Sequence, residues 1–189
     1  MKAEILSIRF LHEGWNRFGL AQVRLHDGSV AERAIEDHGH SVGILPFDPE
    51  RRVATLVREL RVPALFAAGE QMQLEAPAGL IDDGGPEENA RREVLEEVGL
   101  RLHGLDFIGA AYSCASLTTE KIHLYLAAYG RGDRAEAGGG ADGEHENIRI
   151  IEVPLAELAA MADRAELTDL KTLTLVLALR LRHPELFPA

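Results

Sequence analysis

The sequence predicts an α/β sandwich. Strand-like runs with turn residues between them occupy most of residues 3–79, and a helix with a regular apolar pattern follows around residues 91–100. Further strand-like runs come next, and two helical patterns close the chain. Because strands are followed by a helix, more strands and terminal helices, we expect the helices to pack on a sheet around one core.

Three strands are predicted at the N-terminus, at residues 3–12, 19–26 and 30–37. The second and third runs are separated by Asp27 and Gly28. An Asp-Gly pair between two such runs is a strong hairpin signal, because glycine readily adopts the positive φ angles of tight turns. The N-terminal third is therefore expected to be all β.

A hairpin of the core sheet is predicted next. Two apolar runs, residues 41–50 and 51–60, are separated by an Asp-Pro turn. Residues 71–79 alternate between apolar and polar side chains and then break at Pro77. This break delivers the chain to Gly79 and to a loop that precedes the first clear helix.

That helix is expected to hold Pro86 in its first turn and to end at Gly99. Proline is favoured early in a helix, where the missing N–H would have no partner. Glycine is favoured just past the last turn, where the backbone turns left-handed. Both residues stand at suitable positions around the helical pattern.

The remainder of the chain predicts three more strands and two helices. Strands are expected within residues 105–113 and 120–130, and then at 147–153. Residues 131–145 are rich in glycine and polar residues that bury little apolar area, so we predict a mobile loop there. The helices are predicted from Pro154 to about Ala162 and from Leu170 to Arg182.

Composition limits the classes of function. The chain of 189 residues is long enough for one domain with a substantial core, and its 46% hydrophobic content is that of a globular protein. A net charge of −11 argues against broad contact with a nucleic-acid backbone. Cys114 is the only cysteine, which suits a reducing compartment. No signal peptide and no apolar run of membrane-spanning length are evident, so we expect a cytoplasmic protein without a membrane partner.

The most informative feature is a group of three glutamates, Glu93, Glu96 and Glu97. Their i, i+3, i+4 spacing brings the carboxylates to one face of a helix, where like charges repel. A hard divalent cation such as Mg²⁺ accepts carboxylate oxygens together with substrate phosphates and water. The simpler interpretation is an ordinary surface helix, in which Arg92 pairs with Glu88 or Glu96 at i, i+4.

The pattern around these glutamates decides between the two interpretations. Residues 92–100 read R-E-V-x-E-E-x-G-L, with Gly79 upstream. This string resembles the signature of Nudix hydrolases, G-x5-E-x7-R-E-U-x-E-E-x-G-U, in which U is aliphatic. The resemblance implies a Nudix α/β/α sandwich with a mixed sheet and an N-terminal β arm. The upstream part departs from the pattern, because Gly85 replaces the first glutamate and the loop is one residue shorter.

The resemblance also extends beyond the signature. The order VRELRV, EAPAGLIDDG, TTEKIHLYLA, AEAGGG and IIEVPL is similar to the nucleoside diphosphate sugar branch, GDP-mannose and ADP-ribose pyrophosphatases. Residues 115–117 depart from that branch, which usually has Pro-Gly there. The resemblance implies a homodimer in which residues 1–38 form a swapped β arm and residues 39–189 form the Nudix domain.

Site residues follow from the resemblance. Glu93 and Glu97 are implied as the principal Mg²⁺ ligands, with Mn²⁺ as an alternative ion. Glu96 is implied as a third ligand or as a ligand of a second ion, and the backbone carbonyl of Ala78 adds an oxygen. Arg92 is implied to orient the glutamates through an ion pair.

A catalytic base and positive groups for the phosphates are also needed. The late glycine-rich loop supplies Glu144 and Glu146, and Glu146 aligns with the loop glutamate of the branch. A solvated loop glutamate is an equally good interpretation. 

Arg58 and Arg61 stand three residues apart, so a strand would direct them to opposite faces and only one would face the substrate. The resemblance favours Arg58. Arg33 matches an arginine ahead of the core sheet in the same enzymes. For both arginines an ordinary strand-edge role is as good an interpretation.

Trp15, the only tryptophan, stands in a polar, Gly-flanked segment. It is either an aromatic platform for a purine or, as we favour, a hydrophobic anchor of the arm. The histidines show no spacing typical of a metal site or a catalytic triad.

The function predicted from the sequence is Mg²⁺-dependent hydrolysis of a nucleoside diphosphate sugar to a nucleoside monophosphate and a sugar phosphate. Two alternatives stay open. One is another Nudix enzyme that removes damaged nucleotides or RNA caps, although an acidic chain is poorly suited to RNA. The other is a Nudix-like module that binds a ligand without catalysis, which would be expected to lack some of Glu93, Glu96 and Glu97.

Overall fold

The computed structural model describes residues 2–140 and 148–187 of the chain. Its internal contacts divide the chain into two compact units. Unit 1 comprises Met1–His40 and Ala111–Lys121, and unit 2 comprises Ser41–Ala110 and Ile122–Ala189. The N-terminal β segment is thus joined in unit 1 by a second stretch of chain, which sequence reasoning did not associate with it.

Unit 1 is built on a three-stranded antiparallel sheet, with β1 at Glu4–Glu13, β2 at Arg17–Arg24 and β3 at Val30–Asp37. The predicted turn connects β2 and β3, where the Leu25 N–H donates to the Ser29 carbonyl over 2.8 Å. Gly28 has a φ of 87°, which explains the glycine at that turn. The three N-terminal strands are therefore confirmed.

The second stretch of unit 1 is bound to the end of β3. The Glu36 N–H donates to the Leu117 carbonyl over 2.9 Å, and the Thr119 N–H donates to the Glu36 carbonyl over 3.0 Å. The Thr119 hydroxyl donates to Asp37 Oδ1 over 2.6 Å. The two backbone bonds are of the kind that joins neighbouring strands. All three bonds connect residues more than eighty positions apart in the sequence, so local patterns did not reveal them.

Unit 2 is built on a mixed sheet in the order β10-β5-β4-β9-β8, with β6 paired to β5 and β7 paired to β4. Strand β4 runs antiparallel to β5, its hairpin partner, and parallel to β9. Every residue of β4 is buried, as expected for a central strand covered on both faces. The strands are β4 at Ser41–Asp48, β5 at Val53–Glu59, β6 at Gln73–Glu75, β7 at Ala78–Leu80, β8 at Asp106–Tyr112, β9 at Lys121–Ala128 and β10 at Arg149–Pro154.

The described residues also form four α-helices: α1 at Val62–Ala68, α2 at Pro86–Val98, α3 at Leu155–Asp163 and α4 at Leu170–Arg182. Within unit 2, α2 packs on one sheet face through a core that includes Ile44, Val57, Val94 and Val98. Helices α3 and α4 cover the other face through a core that includes Leu45, Leu56, Leu158 and Leu175. The predicted α/β/α sandwich with a mixed sheet is confirmed. Among the helices of the described residues, none combines the length and apolarity needed to cross a membrane.

Helix α1 is the element that the sequence did not predict. It is short, it begins with a proline in its first turn and ends at Gly69 with a φ of 73°. None of its residues is buried, and Phe66 is 92% exposed. A helix without an apolar face on the core has no periodic signal to detect.

The described part of the glycine-rich segment, residues 131–140, begins with a 3₁₀ turn at Arg131–Asp133, continues as a loop and is bound to the end of α2. The Gly139 N–H donates to the Glu97 carbonyl over 2.8 Å, and the Gly140 N–H donates to the Glu96 carbonyl over 3.1 Å. These carbonyls belong to the last turn of a helix, where no intrahelical partner is available. The segment therefore caps α2. Residues 141–147 lie outside the described residues.

Candidate active site

Helix α2 carries the three glutamates, and two of them are buried. Glu93 is 9% exposed and Glu97 is 4% exposed. The Glu96 side chain is more open, at 35% exposure. The helix buries Ala90, Val94 and Val98 against the sheet, and the i, i+4 spacing of Glu93 and Glu97 places them together beside that apolar stripe. Burial of charged groups is costly and needs compensation.

The loop and strand ahead of α2 accommodate Glu93. A Cβ atom built on Gly79 would lie 2.0 Å from Glu93 Cδ and 2.2 and 2.3 Å from its two oxygens. No side chain is therefore tolerated at this position of strand β7 while Glu93 keeps its place. The glycine that opens the signature is required for this close approach and not for an unusual backbone angle.

Strand β7 also contacts Glu97. The Ala78 N–H donates to Glu97 Oε2 over 3.3 Å. Ala78 is paired with Gly43 of β4, which fixes the backbone of this short strand. The predicted carbonyl ligand, that of Ala78, thus belongs to a peptide segment that already contacts the glutamate helix.

Arg92 is surrounded by oxygen atoms. Its Nη2 lies 2.8 Å from Glu93 Oε1, and its Nη1 lies 3.1 Å from Glu96 Oε2. Nη2 also donates to Asn89 Oδ1 over 2.9 Å. The ion pairs predicted between Arg92 and the glutamates are therefore present, and they hold two of the three carboxylates.

A second group of charged residues, which sequence reasoning missed, lies at the ends of β5 and β6. Arg61 pairs with Glu75 through Nε to Oε1 at 2.9 Å and through Nη2 to Oε2 at 3.1 Å. Its Nη2 also lies 2.8 Å from Glu59 Oε2. Lys171, at the start of α4, pairs with the buried Glu75 and lies 3.2 Å from Asp169. The signal available in the sequence was the clustering of Glu59 and Arg61 in VRELRV.

This charge cluster is electrostatically connected with the glutamate helix. Burial opposes the charge on Arg61, but the bond to Glu75 and the charges of Glu75, Glu59 and Glu97 raise the pKa of Arg61. Burial alone would raise the pKa of Glu75, whereas Lys171 and Arg61 lower it. Of the three glutamates of α2, Glu97 is the one whose charge contributes to the raised pKa of Arg61.

Arg58 lies on the other sheet face. Strand β5 alternates, so that Val57 belongs to the core under α2 and Leu56 to the core under α3 and α4. Arg58 shares the parity of Leu56 and pairs in register with Leu74, which packs against that second core. Its side chain is exposed. Arg61, by contrast, follows the end of the strand and pairs with Glu59 and Glu75.

The other two predicted substrate contacts belong to unit 1. Arg33 is an exposed residue of β3 and donates to the Glu32 carbonyl over 2.9 Å. Trp15 is 75% exposed and stacks on His38, with ring centroids 5.3 Å apart and an interplanar angle of 13°. Since most of the indole remains open to solvent, the stack leaves one aromatic face available. The predicted base, Glu146, and its alternative, Glu144, lie outside the described residues.

A family comparison identifies the domain that carries this site. The model of the NUDIX domain matches residues 37–175, which include the whole of α2 and the start of α4. The chain belongs to the Nudix family. The resemblance inferred from the signature is thereby confirmed, and the chain is a Nudix hydrolase.

Curated Nudix relatives cover most of the chain. A GDP-mannose pyrophosphatase of Cronobacter sakazakii is 35% identical over 160 residues, which span 82% of each chain. A GDP-mannose pyrophosphatase of Pectobacterium atrosepticum is 32% identical over 178 residues, 92% of this chain and 91% of the relative. A solved structure described as an ADP compounds hydrolase shares the fold, with a TM-score of 0.78, 20% identity and coverage of 98% of this chain and 96% of that chain.

Nudix hydrolases generally need a divalent metal ion, and the residues present fit one. Glu93, Glu96, Glu97 and the Ala78 carbonyl offer only hard oxygen donors, the type that Mg²⁺ and Mn²⁺ prefer. The Glu93 carboxylate occupies the space that a side chain at residue 79 would need, so Gly79 makes room for this oxygen donor. Within residues 2–140 and 148–187, no three acidic, cysteine or histidine side chains already converge as a metal cage. Arg92 holds Glu93 and Glu96 instead, so a cation would replace part of its ion pairing.

Proposed function

We propose that this Nudix hydrolase cleaves the diphosphate of a nucleoside diphosphate sugar, with Mg²⁺ or Mn²⁺, to give a nucleoside monophosphate and a sugar phosphate. The observation that carries the proposal is the burial of Glu93 and Glu97 beside Ala78 and Gly79. The names of the two curated relatives support a GDP-mannose type of substrate. All three signature glutamates are present, which argues against a module that binds without catalysis.

Glu93, Glu97, Glu96 and the Ala78 carbonyl would hold the cation, which supplies charge neutralisation at the diphosphate and activation of water. Arg92 serves to orient Glu93 and Glu96, because it contacts both carboxylates. Its bond to Asn89 fixes the guanidinium relative to the first turns of α2. A rigid set of carboxylates costs less reorganisation when charge develops on the phosphate.

Positive charge at the leaving phosphate is assigned to an arginine of the β5 end. Arg58 was the expected residue, and it remains one candidate. The geometry supports Arg61 more strongly. Arg61 is bonded to Glu75, and the charge of Glu97 contributes to its raised pKa. Arg58 lies on the opposite sheet face together with Leu74. Arg61→Met is expected to raise KM or lower kcat by about tenfold or more, and Arg58→Met, a matched change, is expected to have a smaller effect.

The remaining roles are proposals from the family resemblance. Glu146 is proposed as the catalytic base, with Glu144 as the competing residue, and both lie outside the described residues. Arg33 is proposed to contact a phosphate. The open face of Trp15 supports a contact with the purine ring, since aromatic faces stack on bases without sequence preference.

A homodimer is also proposed, with residues 1–38 as the exchanged arm. Strand β1 supports it, because four apolar residues of this ten-residue strand are exposed, namely Ile5, Leu6, Ile8 and Leu11. A concentration of exposed apolar side chains is typical of an interface. A cytoplasmic location is proposed from the exposed free thiol of Cys114, which suits a reducing compartment.

The experiment that tests the proposed function is a substrate panel. GDP-mannose, ADP-ribose, ADP-glucose and a dinucleoside polyphosphate are incubated with the purified protein and Mg²⁺, and the products are separated by chromatography. The proposal expects a nucleoside monophosphate and a sugar phosphate from at least one nucleotide sugar. Release of a nucleoside diphosphate would place the cleavage at another bond, and an absence of turnover with both Mg²⁺ and Mn²⁺ would reject the enzyme assignment.

A further inference from the structure

Glu59 is a buried carboxylate for which the proposed function has no use. It is the last residue of β5, only 9% exposed, and pairs in register with Gln73 of β6. It shares the strand parity of Val57, whose side chain lies in the core under α2. Among the described residues it forms an ion pair with Arg61, whose Nη2 lies 2.8 Å from Glu59 Oε2.

The guanidinium of Arg61 is only partly used by the protein. Of its five N–H groups, the one on Nε and one on Nη2 are directed to Glu75. Nη2 also forms an ion pair with Glu59, whose Oε2 lies 2.8 Å away. Among the described residues, Nη1 has no acceptor, and the Arg61 side chain is 40% exposed. An incoming anion therefore finds Nη1 free and the neighbouring Nη2 already taken.

An arginine binds phosphate best through two nitrogens at once, because the fork of parallel N–H groups matches two phosphate oxygens. With Glu59 on Nη2, the end of Arg61 formed by Nη1 and Nη2 cannot act as such a fork. We propose that Glu59 is an affinity-determining residue that occupies the second phosphate position on Arg61 and so weakens binding of the diphosphate. This inference rests on the proposed function of Arg61 as the phosphate-binding arginine.

The charges around Glu59 support a competing role. Burial and the negative charge of Glu75 raise the pKa of Glu59, while Arg61 and Lys171 act in the opposite direction. The carboxylate is thus held in an environment that disfavours its charge, and an anionic ligand beside it would add further repulsion. Three carboxylates, those of Glu59, Glu75 and Asp169, face the two cations Arg61 and Lys171, so the cluster holds no net positive charge for a phosphate. Removal of the Glu59 charge would bring the cluster to balance and lessen the repulsion of an anion.

The test measures binding of inorganic pyrophosphate by calorimetry, in EDTA, so that neither metal nor turnover is required. Glu59→Gln keeps the shape of the side chain and is expected to lower the Kd by about tenfold, as for one charge removed next to a bound anion. Glu50→Gln is the control, because Glu50 is an exposed residue of the β4–β5 turn and the net charge changes equally. An unchanged or higher Kd for Glu59→Gln would overturn the proposal, since a residue that only orients Arg61 would weaken binding when removed.

The dependence on Arg61 is tested in the same assay. Arg61→Met should weaken pyrophosphate binding, and most of the gain from Glu59→Gln should vanish in the double variant. A gain that persists in full without Arg61 would contradict competition for its guanidinium. Glu59→Ala provides a second variant if Glu59→Gln melts at a lower temperature than the wild type. Turnover of nucleotide sugars is measured separately. If Glu59→Gln binds pyrophosphate more tightly but no nucleotide sugar is turned over, the proposed function is rejected and the role of Glu59 is retained. If the wild type shows no measurable pyrophosphate binding, the role of Glu59 is overturned.

Discussion

The two buried glutamates of α2 show how single residues define the site. Charged carboxylates are seldom buried unless they are paired or bind a metal. Glu93 is held by Arg92 and accommodated by Gly79, and Glu97 accepts a bond from the Ala78 N–H. A side chain at residue 79 would overlap the Glu93 carboxylate, so the glycine leaves the space that this carboxylate occupies. The place of the two glutamates is thus determined by Arg92 and by the backbone of Ala78 and Gly79.

Gly79 provides the first prediction at this scale. Gly79→Ala places a methyl group 2.0 Å from Glu93 Cδ, so the carboxylate must move. We expect turnover to fall by about 100-fold, as for loss of an electrostatic group of the site, and the Mg²⁺ concentration for half-maximal rate to rise. Gly109→Ala is the matched control, because Gly109 also lies in a strand and an added Cβ meets nothing within 4 Å. Equal activity of the two variants would show that Glu93 does not need its observed position.

His38 provides a prediction about pH. It is held between Glu36, 2.9 Å away, and Glu120, 3.6 Å away, and burial is outweighed by the bonds and charges of these carboxylates, which raise the pKa of His38 above 6.5. A raised pKa means that the stabilisation is complete below the unfolded value and is lost as pH rises through the folded value.

The free energy of unfolding lost by His38→Gln should therefore be larger at about pH 5.5 than at about pH 9. Urea titrations at both pH values, followed through the fluorescence of Trp15, measure this difference. A loss that is the same at both pH values would contradict the proposed charge on His38.

At the scale of elements, the end of α2 depends on the glycine-rich segment. Gly138 has a φ of 71°, and a Cβ on it would lie 2.7 Å from the Glu97 carbonyl oxygen. Gly138→Ala should therefore cost about 1–3 kcal/mol of stability from the left-handed backbone and the steric overlap. Gly132→Ala, in the 3₁₀ turn at Arg131–Asp133 of the same segment and with open space around its Cβ position, should cost much less. Chemical unfolding of both variants provides the comparison, and equal losses would show that the segment does not cap the helix.

Most elements could be predicted from the sequence, and the exceptions have physical causes. The limits of α2 and α4 follow from Pro86, Gly99 and a continuous apolar face, which are local signals. Helix α1 packs no residue into the core, so no periodicity reveals it. The association of residues 111–121 with β3 depends on hydrogen bonds between distant parts of the chain. Pairing between distant segments cannot be predicted from a short stretch of sequence.

The candidate site, like the fold, could be predicted from the sequence where its residues are close together in the chain. The signature identified Arg92 and the three glutamates, because their spacing on one helix is a local property. The Arg61 cluster was missed because Glu75 and Lys171 are separated by 96 residues. The choice between Arg58 and Arg61 depended on where β5 ends, which is the least predictable property of a strand. Because β5 ends at Glu59, Arg61 lies beyond the strand, and the alternation of side chains between the two sheet faces does not apply to it.

For the molecule as a whole, the net charge of −11 is consistent with arginines such as Arg61 and Arg92 that act on individual carboxylates or phosphates and do not form a wide basic surface. Such a chain attracts no polyanion over a wide surface, but it attracts divalent cations to its acidic clusters. We therefore expect activity to depend steeply on free metal ion concentration and only weakly on added nucleic acid. Competition assays with unlabelled RNA test this expectation, and strong inhibition by RNA would contradict it.

The proposed dimer gives a second prediction at this scale. A chain of 20.7 kDa should give a mass of about 41 kDa by light scattering, twice the chain mass. Ile5→Lys, in the exposed strand β1, should shift the mass toward that of a monomer as the protein is diluted. Leu181→Lys is the control, because Leu181 is also apolar and is even more exposed, at 83% against 57% for Ile5, but lies on α4. A wild type that stays monomeric at high concentration would reject the dimer.

We propose that the buried glutamates of α2 form a catalytic metal site for a nucleotide sugar. Glu97→Gln tests it most directly, with Glu87→Gln, an exposed change on the first turn of the same helix, as the control. Mg²⁺-dependent turnover of GDP-mannose or ADP-ribose is measured beside substrate binding by calorimetry. We expect Glu97→Gln to lose turnover by at least about 1,000-fold and still bind the substrate, while Glu87→Gln keeps wild-type activity. Full turnover by a folded Glu97→Gln protein would show that Glu97 is not part of a catalytic metal site.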